Sequence, residues 1–254
     1  LAEFVFLLSE KWHLDQPARY QAVEILERFM IKQLEQMCES SRENVKGHGQ
    51  GPGNSWSSQK AQIHDTFILR LVSCVQLASK LSLHYNVVNS DTALKFLQSL
   101  KYSYTKQELL DSELAVLKTL HFQVNVSTPL AYVELLLEVL GHNGCLVPAK
   151  PLHQVCVQLL DFAYLTRDAI YDTLLQVAID NSTPSKLQLA KFLAVKEDFM
   201  LLAVGIISAS VFILSPEHWK QVLEHLHCIT GITSQSISEL SYAVLKQVIG
   251  SATP

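Results

Sequence analysis

The stretch from Ile68 to Leu81, ILRLVSCVQLASKL, constrains this chain more than any other. At about 100° per residue, Ile68, Leu71, Val72 and Val75 form one apolar face of a helix and Cys74, Leu77, Ala78 and Leu81 a second, leaving Arg70, Ser73, Gln76 and Lys80 on one narrow polar stripe. A helix this apolar needs other helices around most of its circumference. The stripe ending in Lys80 is expected to be the only part that reaches solvent or a partner. The stretch therefore reads as the hub of a helical bundle.

With 254 residues, 48% of them hydrophobic, the chain has apolar material for two cores of ordinary size. The net charge is -4 and the lysines and arginines are scattered. No basic stripe marks a nucleic-acid surface, and no direct nucleic-acid contact is expected. Five cysteines, Cys38, Cys74, Cys145, Cys156 and Cys228, are odd in number and widely spaced, with at least three in apolar helical patterns. That suits reduced thiols in cytosol or nucleus, without disulfides. The chain opens at Leu1 with no signal-like segment and reads as part of a longer intracellular protein.

In chain order, Glu3 to Trp12 reads as a helix that stops before Asp15, Gln16 and Pro17. Pro17 fits the first turn of the next, whose buried side would be Tyr20, Val23, Ile25, Leu26, Phe29, Met30 and Leu34. Residues 38–62 are rich in Gly, Ser, Asn and Gln and poor in apolar side chains, so a flexible loop is expected there. Its GHGQGPG run matches no phosphate-binding fingerprint. Ser90 or Asp91 is expected to cap a short helix through Leu100. Thr105 and Glu108, in TKQE, form a capping-box pattern that starts another reaching about Leu120. In this helix Leu109, Val116, Leu117 and Leu120 bracket Glu113, placing a carboxylate inside the apolar stripe. A buried carboxylate needs a cation or donors. Lys80, at the end of the hub's polar stripe, is the candidate partner.

Three strings carry a family resemblance: ASK at Ala78 to Lys80, YTxxE at Tyr104 to Glu108, and ExxVLKxLxF from Glu113 to Phe122. With ARYQAVEILERFM, LRLVSCVQLASKL and YSYTKQELLDSELAVLKTLHFQV around them, they resemble helices two, three and five of a cyclin box, in cyclin order. The likeness covers nearly the whole first half, and within the family it points to a divergent group. It implies a non-catalytic regulatory subunit for a cyclin-dependent kinase. Lys80 and Glu113 match the lysine and glutamate with which cyclins hold the kinase's activating helix. Arg70 and Gln76 on the stripe, and Leu83 beyond it, complete the expected partner-binding set. The divergent group further implies work in the nucleus of meiotic cells, in maturing crossover recombination intermediates, with recombination-associated proteins as partners.

Two departures from the cell-cycle cyclins accompany the likeness. Where those proteins recruit substrates through a tryptophan, a glutamate and a glutamine, Phe4, Leu7 and Ile68 stand here. The acidic residues that usually follow ASK are replaced by Leu81, Ser82 and Leu83. A kinase-independent scaffold for recombination or ubiquitin-ligase proteins is therefore the main alternative. A general transcription factor B type protein is disfavoured by the acidic balance.

The second half repeats the plan. Thr128 and Pro129 start a helix through Leu140, and Gly141, Gly144 and Pro148 mark a linker. Val155 to Leu165 is the next helix, and Phe199 to Leu214 is an uncharged run that mirrors the hub, too short to span a bilayer. Ser215 and Pro216 begin a helix that Gly231 ends, and Thr233 caps a last one to Ile249. The resemblance to a second, more divergent cyclin box makes the expected architecture all-α, two tandem five-helix bundles over 1–125 and 128–250. The second would carry an insertion at about 170–198. At its polar tip Thr183-Pro184-Ser185-Lys186 fits the proline-directed pattern of a phosphorylation site.

No cofactor or metal is expected. His142, Cys145, His153 and Cys156 spell HxxC twice, but Cys156 lies in an apolar helical pattern. His225 and His227 point apart on one helix, and Asn125-Val126-Ser127 is a sequon only by spelling. There is no nucleophile elbow, HExxH, kinase catalytic loop or glycine fingerprint, and the chain is not expected to be an enzyme.

Overall fold

A computed structural model describes residues 1–46, 52–82, 87–145, 147–179 and 183–252. Among these the chain is all-α: twelve α-helices, a short 3-10 turn and no strand. It divides into two compact units, Leu1–Val126 and Ser127–Pro254.

The first unit holds α1 (Ala2–Lys11), α2 (Gln16–Lys46), α3 (Pro52–Leu81), α4 (Ser90–Ser99) and α5 (Lys106–Thr119). The Asp15 carboxylate accepts the Ala18 N–H at 2.9 Å, with Pro17 in the first turn of α2 where its missing donor costs nothing. Tyr20, Val23, Ile25, Leu26 and Phe29 are buried as the pattern requires, whereas Leu34 is exposed. The hub is the second half of α3. There Leu71, Val72, Cys74, Val75, Leu77 and Ala78 are all buried, and α1, α2, α4 and α5 pack around it. Asn89 caps α4, its Oδ1 accepting the Thr92 N–H at 2.8 Å, one residue before the expected cap. Thr105 and Glu108 close the capping box of α5.

The expected loop over 38–62 is not a loop where the structure describes it. Residues 38–46 continue α2 and 52–62 open α3, while residues 47–51 lie outside the described residues. Composition misled because it treats a segment as if it had to nucleate its own structure. A helix already anchored by a packed half extends at little cost through Glu, Gln, Lys, Arg and Ser, all adequate helix formers. The side chains of Met37, Ser40, Gln62 and Ile63 line a cleft between the two helices, so the extension is not bare.

The second unit holds α6 (Pro129–His142), α7 (Ala149–Leu165), α8 (Arg167–Ala178), α9 (Lys186–Lys196), α10 (Phe199–Leu214), a 3-10 turn at Pro216–His218, α11 (Trp219–Thr230) and α12 (Ser234–Ala252). These are seven α-helices where five were expected. The surplus falls at the expected insertion, which folds as most of α8 and all of α9. A capping box of Ser185 and Gln188, not recognised in the sequence, starts α9. Helix α7 also begins earlier than Val155, because Pro151 is tolerated in a first turn.

Helix α10 is the centre of this unit. Every residue from Leu202 to Val211 is buried, with α6, α7, α11 and α12 packed on it. Its polar residues find partners. The Ser208 hydroxyl accepts Trp219 Nε1–H at 2.9 Å, and the Ser210 hydroxyl donates to the Ile206 carbonyl at 2.7 Å. Gly205 is where α12 comes closest, since a Cβ there would stand 2.7 Å from the Leu240 side chain. Gly231 takes the left-handed conformation (φ 73°) that ends α11. No single helix among the described residues is long and apolar enough to cross a membrane. Only α9 and α10 together reach that length, and they are bent by 72°.

Candidate functional site

Lys80, in the last turn of α3, and Glu113, in the middle of α5, meet as the sequence predicts: Lys80 Nζ donates to Glu113 Oε1 at 2.6 Å. The two ends differ. The lysine side chain is 40% exposed and the glutamate 8%. Leu109, Ser112, Val116 and Leu120 are buried along the same helix, and they fix Glu113 at the edge of the core. The lysine thus carries the pair to the surface. On the wheel of α5, Leu110 and Leu117 lie within about 60° of Glu113 and Leu114 about 100° from it. Leu110 and Leu114 are exposed, and Leu81, just after Lys80, is exposed as well. The arrangement is a charged pair bordered by uncovered leucines.

The middle of the hub's polar stripe does not reach solvent. Ser73 and Gln76 are fully buried. The Ser73 hydroxyl lies 2.8 Å from that of Ser112 and donates to the Leu69 carbonyl at 2.9 Å. Gln76 Nε2 donates to the Val88 carbonyl at 3.2 Å, and Ser79 Oγ accepts the Val88 N–H at 3.0 Å. Gln76 is therefore corrected from a partner-binding residue to one that fastens the segment before α4 onto α3. The stripe is polar because α5 and that segment present polar groups to it. Arg70 is half-buried: Nη1 donates to the Ser112 carbonyl at 3.1 Å, and its guanidinium stands 5.9 Å from the centre of the Phe29 ring. Burial pushes its pKa down from the usual arginine value. Leu83 lies outside the described residues.

A feature that sequence reasoning missed follows α5. His121 and Phe122 both adopt left-handed backbone, φ 50° and 61°, uncommon for residues other than glycine. Phe122 is left 63% exposed. The motif ending in Phe122 was legible, but the turn that throws its ring outward was not.

Thr183 is exposed, just ahead of α9. Phe4 and Leu7 are exposed on α1, and Ile68 is half-buried. The two HxxC spellings do not converge. His153 Nε2 faces Glu134 Oε1 at 3.2 Å, while Cys156 is buried, its thiol pushed up to about 12 by that burial against a smaller opposing effect of its hydrogen bond with Ser210. Among the described residues no three His, Cys, Asp or Glu side chains gather as a metal site.

An all-helical chain in which the central helix of the first unit closes a lysine–glutamate pair onto its fifth helix is consistent with the cyclin-like fold that the resemblance implies. No family model matches the chain. Over all 254 residues, however, it is 59% identical to cyclin N-terminal domain-containing protein 1 of Mus musculus, covering 76% of that protein. It is 57% identical to cyclin N-terminal domain-containing protein 1 of Homo sapiens, covering 77%. The chain belongs to the cyclin N-terminal domain-containing protein 1 family, the divergent group to which its motifs point.

Proposed function

We propose that this cyclin-like protein is a non-catalytic regulatory subunit that binds a cyclin-dependent kinase through the Lys80–Glu113 rim of its first unit. The observation that carries the reading is the pair itself, joined at 2.6 Å at the domain edge and bordered by exposed Leu81, Leu110 and Leu114. An apolar surface with a charged anchor is the composition of a protein-binding hot spot. Phe122, held outward by a backbone conformation that a folded chain keeps only where its surroundings impose it, adds an aromatic anchor. Docking there would favour the kinase conformer in which its own Lys–Glu ion pair is formed. Family membership supports a place in crossover maturation during meiotic recombination, in the nucleus and with recombination-associated proteins as further partners. Thr183, exposed and followed by proline, would be a site at which such a kinase marks its own subunit.

The deciding experiment is co-purification with candidate kinases followed by a phosphorylation assay, for the native chain and for Lys80→Ala with Glu113→Ala. Binding and activation by the native chain, and their loss in the double variant, are expected. The reading fails if no kinase co-purifies or if the double variant binds and activates unchanged.

A kinase-independent scaffold is the second reading. One observation favours it: Glu113 is buried and already engaged by Lys80, so less of the pair is open to a partner than two free charges would be. Capture of recombination or ubiquitin-ligase proteins by a chain that stimulates no kinase would select it.

A further inference from the structure

A second surface of the first unit lies apart from the Lys80 rim and plays no part in the function proposed above. Helices α2 and α3 flank a cleft of about 250 Å³ whose walls include Phe29, Met30, Met37, Ile63 and Phe67 and whose polar lining is Gln33, Gln36, Ser40, Gln62, Thr66 and Arg70. Arg70 is ten residues from Lys80 along α3, about 15 Å at the helical rise.

The charge balance here is unusual. Half-buried arginines normally face a carboxylate, because a desolvated guanidinium without one is costly. Among the described residues Arg70 has no acidic partner. Its contacts are one carbonyl, that of Ser112, and the face of the Phe29 ring. These two hold the guanidinium in place from two sides, and they satisfy only one of its five N–H groups. The remaining donors belong to a side chain that lines the cleft. The glutamine amides of the cleft can donate without adding charge. Gln36 already accepts from Gln33 Nε2 at 3.2 Å, and the Ser40 and Thr66 hydroxyls donate to the carbonyls of Gln36 and Gln62.

We infer that this cleft is a docking site for a peptide segment of a partner protein that presents one aspartate or glutamate flanked by apolar residues. The carboxylate would take the free edge of the Arg70 guanidinium in the paired geometry that the two planar groups share. The flanking residues would seat on Met30, Met37 and Phe67. A carboxylate fits better than a phosphate. Among the described residues Arg70 is the only cation in the lining, whereas phosphate recognition is built from clusters of arginines. Because the guanidinium is fixed before the partner arrives, little side-chain freedom remains to be lost on binding.

A random peptide library displayed on phage, panned on the full chain, tests this. Selected peptides are expected to share an acidic position with apolar neighbours. Resynthesised, each should bind about thirtyfold or more weakly when that residue is replaced by its amide, the minimum expected from unpairing a desolvated charge. Amide resonances of Phe29, Gln36, Met37 and Phe67 should shift on binding while that of Lys80 does not. Arg70→Met should remove the acidic preference. Should Arg70→Met fail to fold, Gln36→Glu at an exposed cleft position decides, since a carboxylate supplied from within should exclude the peptide's own. Selection of no peptide, selection without an acidic preference, or unchanged binding by Gln36→Glu would each overturn the inference. Kinase binding through Lys80 should survive Gln36→Glu, so failure here is distinguishable from failure of the kinase reading.

Discussion

Lys80 and Glu113 form one ion pair with two environments, the lysine side chain 40% exposed and the glutamate side chain 8% exposed, so the two residues are not equivalent in what their loss leaves behind. Lys80→Ala leaves a buried carboxylate without its cation. It is expected to cost about 1 to 3 kcal/mol, less than for a fully enclosed pair because water can approach from the lysine side. Glu113→Gln leaves a lysine that can turn to solvent and should cost less. Lys80→Ala combined with Glu113→Gln should recover part of the loss of Lys80→Ala alone. Equilibrium denaturation of the four chains measures this directly, and equal losses for both single variants would contradict the asymmetry.

The buried hydroxyls of Ser73 and Ser112, 2.8 Å apart in the seam between α3 and α5, should show a different kind of coupling. Ser73→Ala strands the Ser112 hydroxyl in the core and is expected to cost about 1 kcal/mol, whereas Ser112→Ala leaves Ser73 its bond to the Leu69 carbonyl and should cost less. Changing both removes donor and acceptor together, so the double variant should be no less stable than the worse single one. Additive losses in a double-mutant cycle would show that the two hydroxyls do not serve each other.

In the second unit Gly205 is a packing requirement. A methyl group there would stand 2.7 Å from Cδ2 and Cγ of Leu240, a fully buried side chain. Gly205→Ala is expected to destabilise by about 1 to 3 kcal/mol despite alanine's better helix propensity. Gly250→Ala, where a Cβ would meet nothing, should be neutral or mildly stabilising. Thermal unfolding of the two variants should therefore shift in opposite directions or differ by several degrees.

Glu108 supplies a pH test of the first unit. The Thr105 backbone N–H, and then its hydroxyl, donate to the carboxylate and hold its pKa below the ordinary 4.5. A carboxylate with a depressed folded-state pKa stabilises above its unfolded value, and that contribution disappears as pH falls through the lower folded value. An NMR titration should find Glu108 titrating below the exposed carboxylates, and Thr105→Ala should move it back towards them. The absence of any difference would mean that the capping box is not formed in solution.

Much of this was legible in the sequence, for physical reasons. Phe199 to Leu214 has the bounds the uncharged run suggests, because Asp198 caps it and the chain turns at Ser215. Thr105 with Glu108 and the turn at Gly231 are local devices whose signal lies within a few residues. The Lys80–Glu113 pair was accessible because a carboxylate on an apolar stripe demands a cation. What escaped was whatever depends on a neighbour from elsewhere in the chain. A helical wheel gives Ser73 and Gln76 a direction, but only the fold reveals that Ser112 and Val88 wait there. The same limit explains 38–46 and 52–62, which are helical as continuations of packed helices. It explains Phe122 too, since a left-handed backbone has no spelling when the residue is not glycine.

Val88 is tethered to the hub at both of its backbone groups, its amide by Ser79 and its carbonyl by Gln76. Two anchors on one residue prevent the approach to α4 from pivoting about either. A partner that grasps α4 would therefore tug on the final turns of α3, and whatever stiffens those turns would in the same measure steady α4. The fourth helix and the last turns of the third, Lys80 among them, are thus expected to move together.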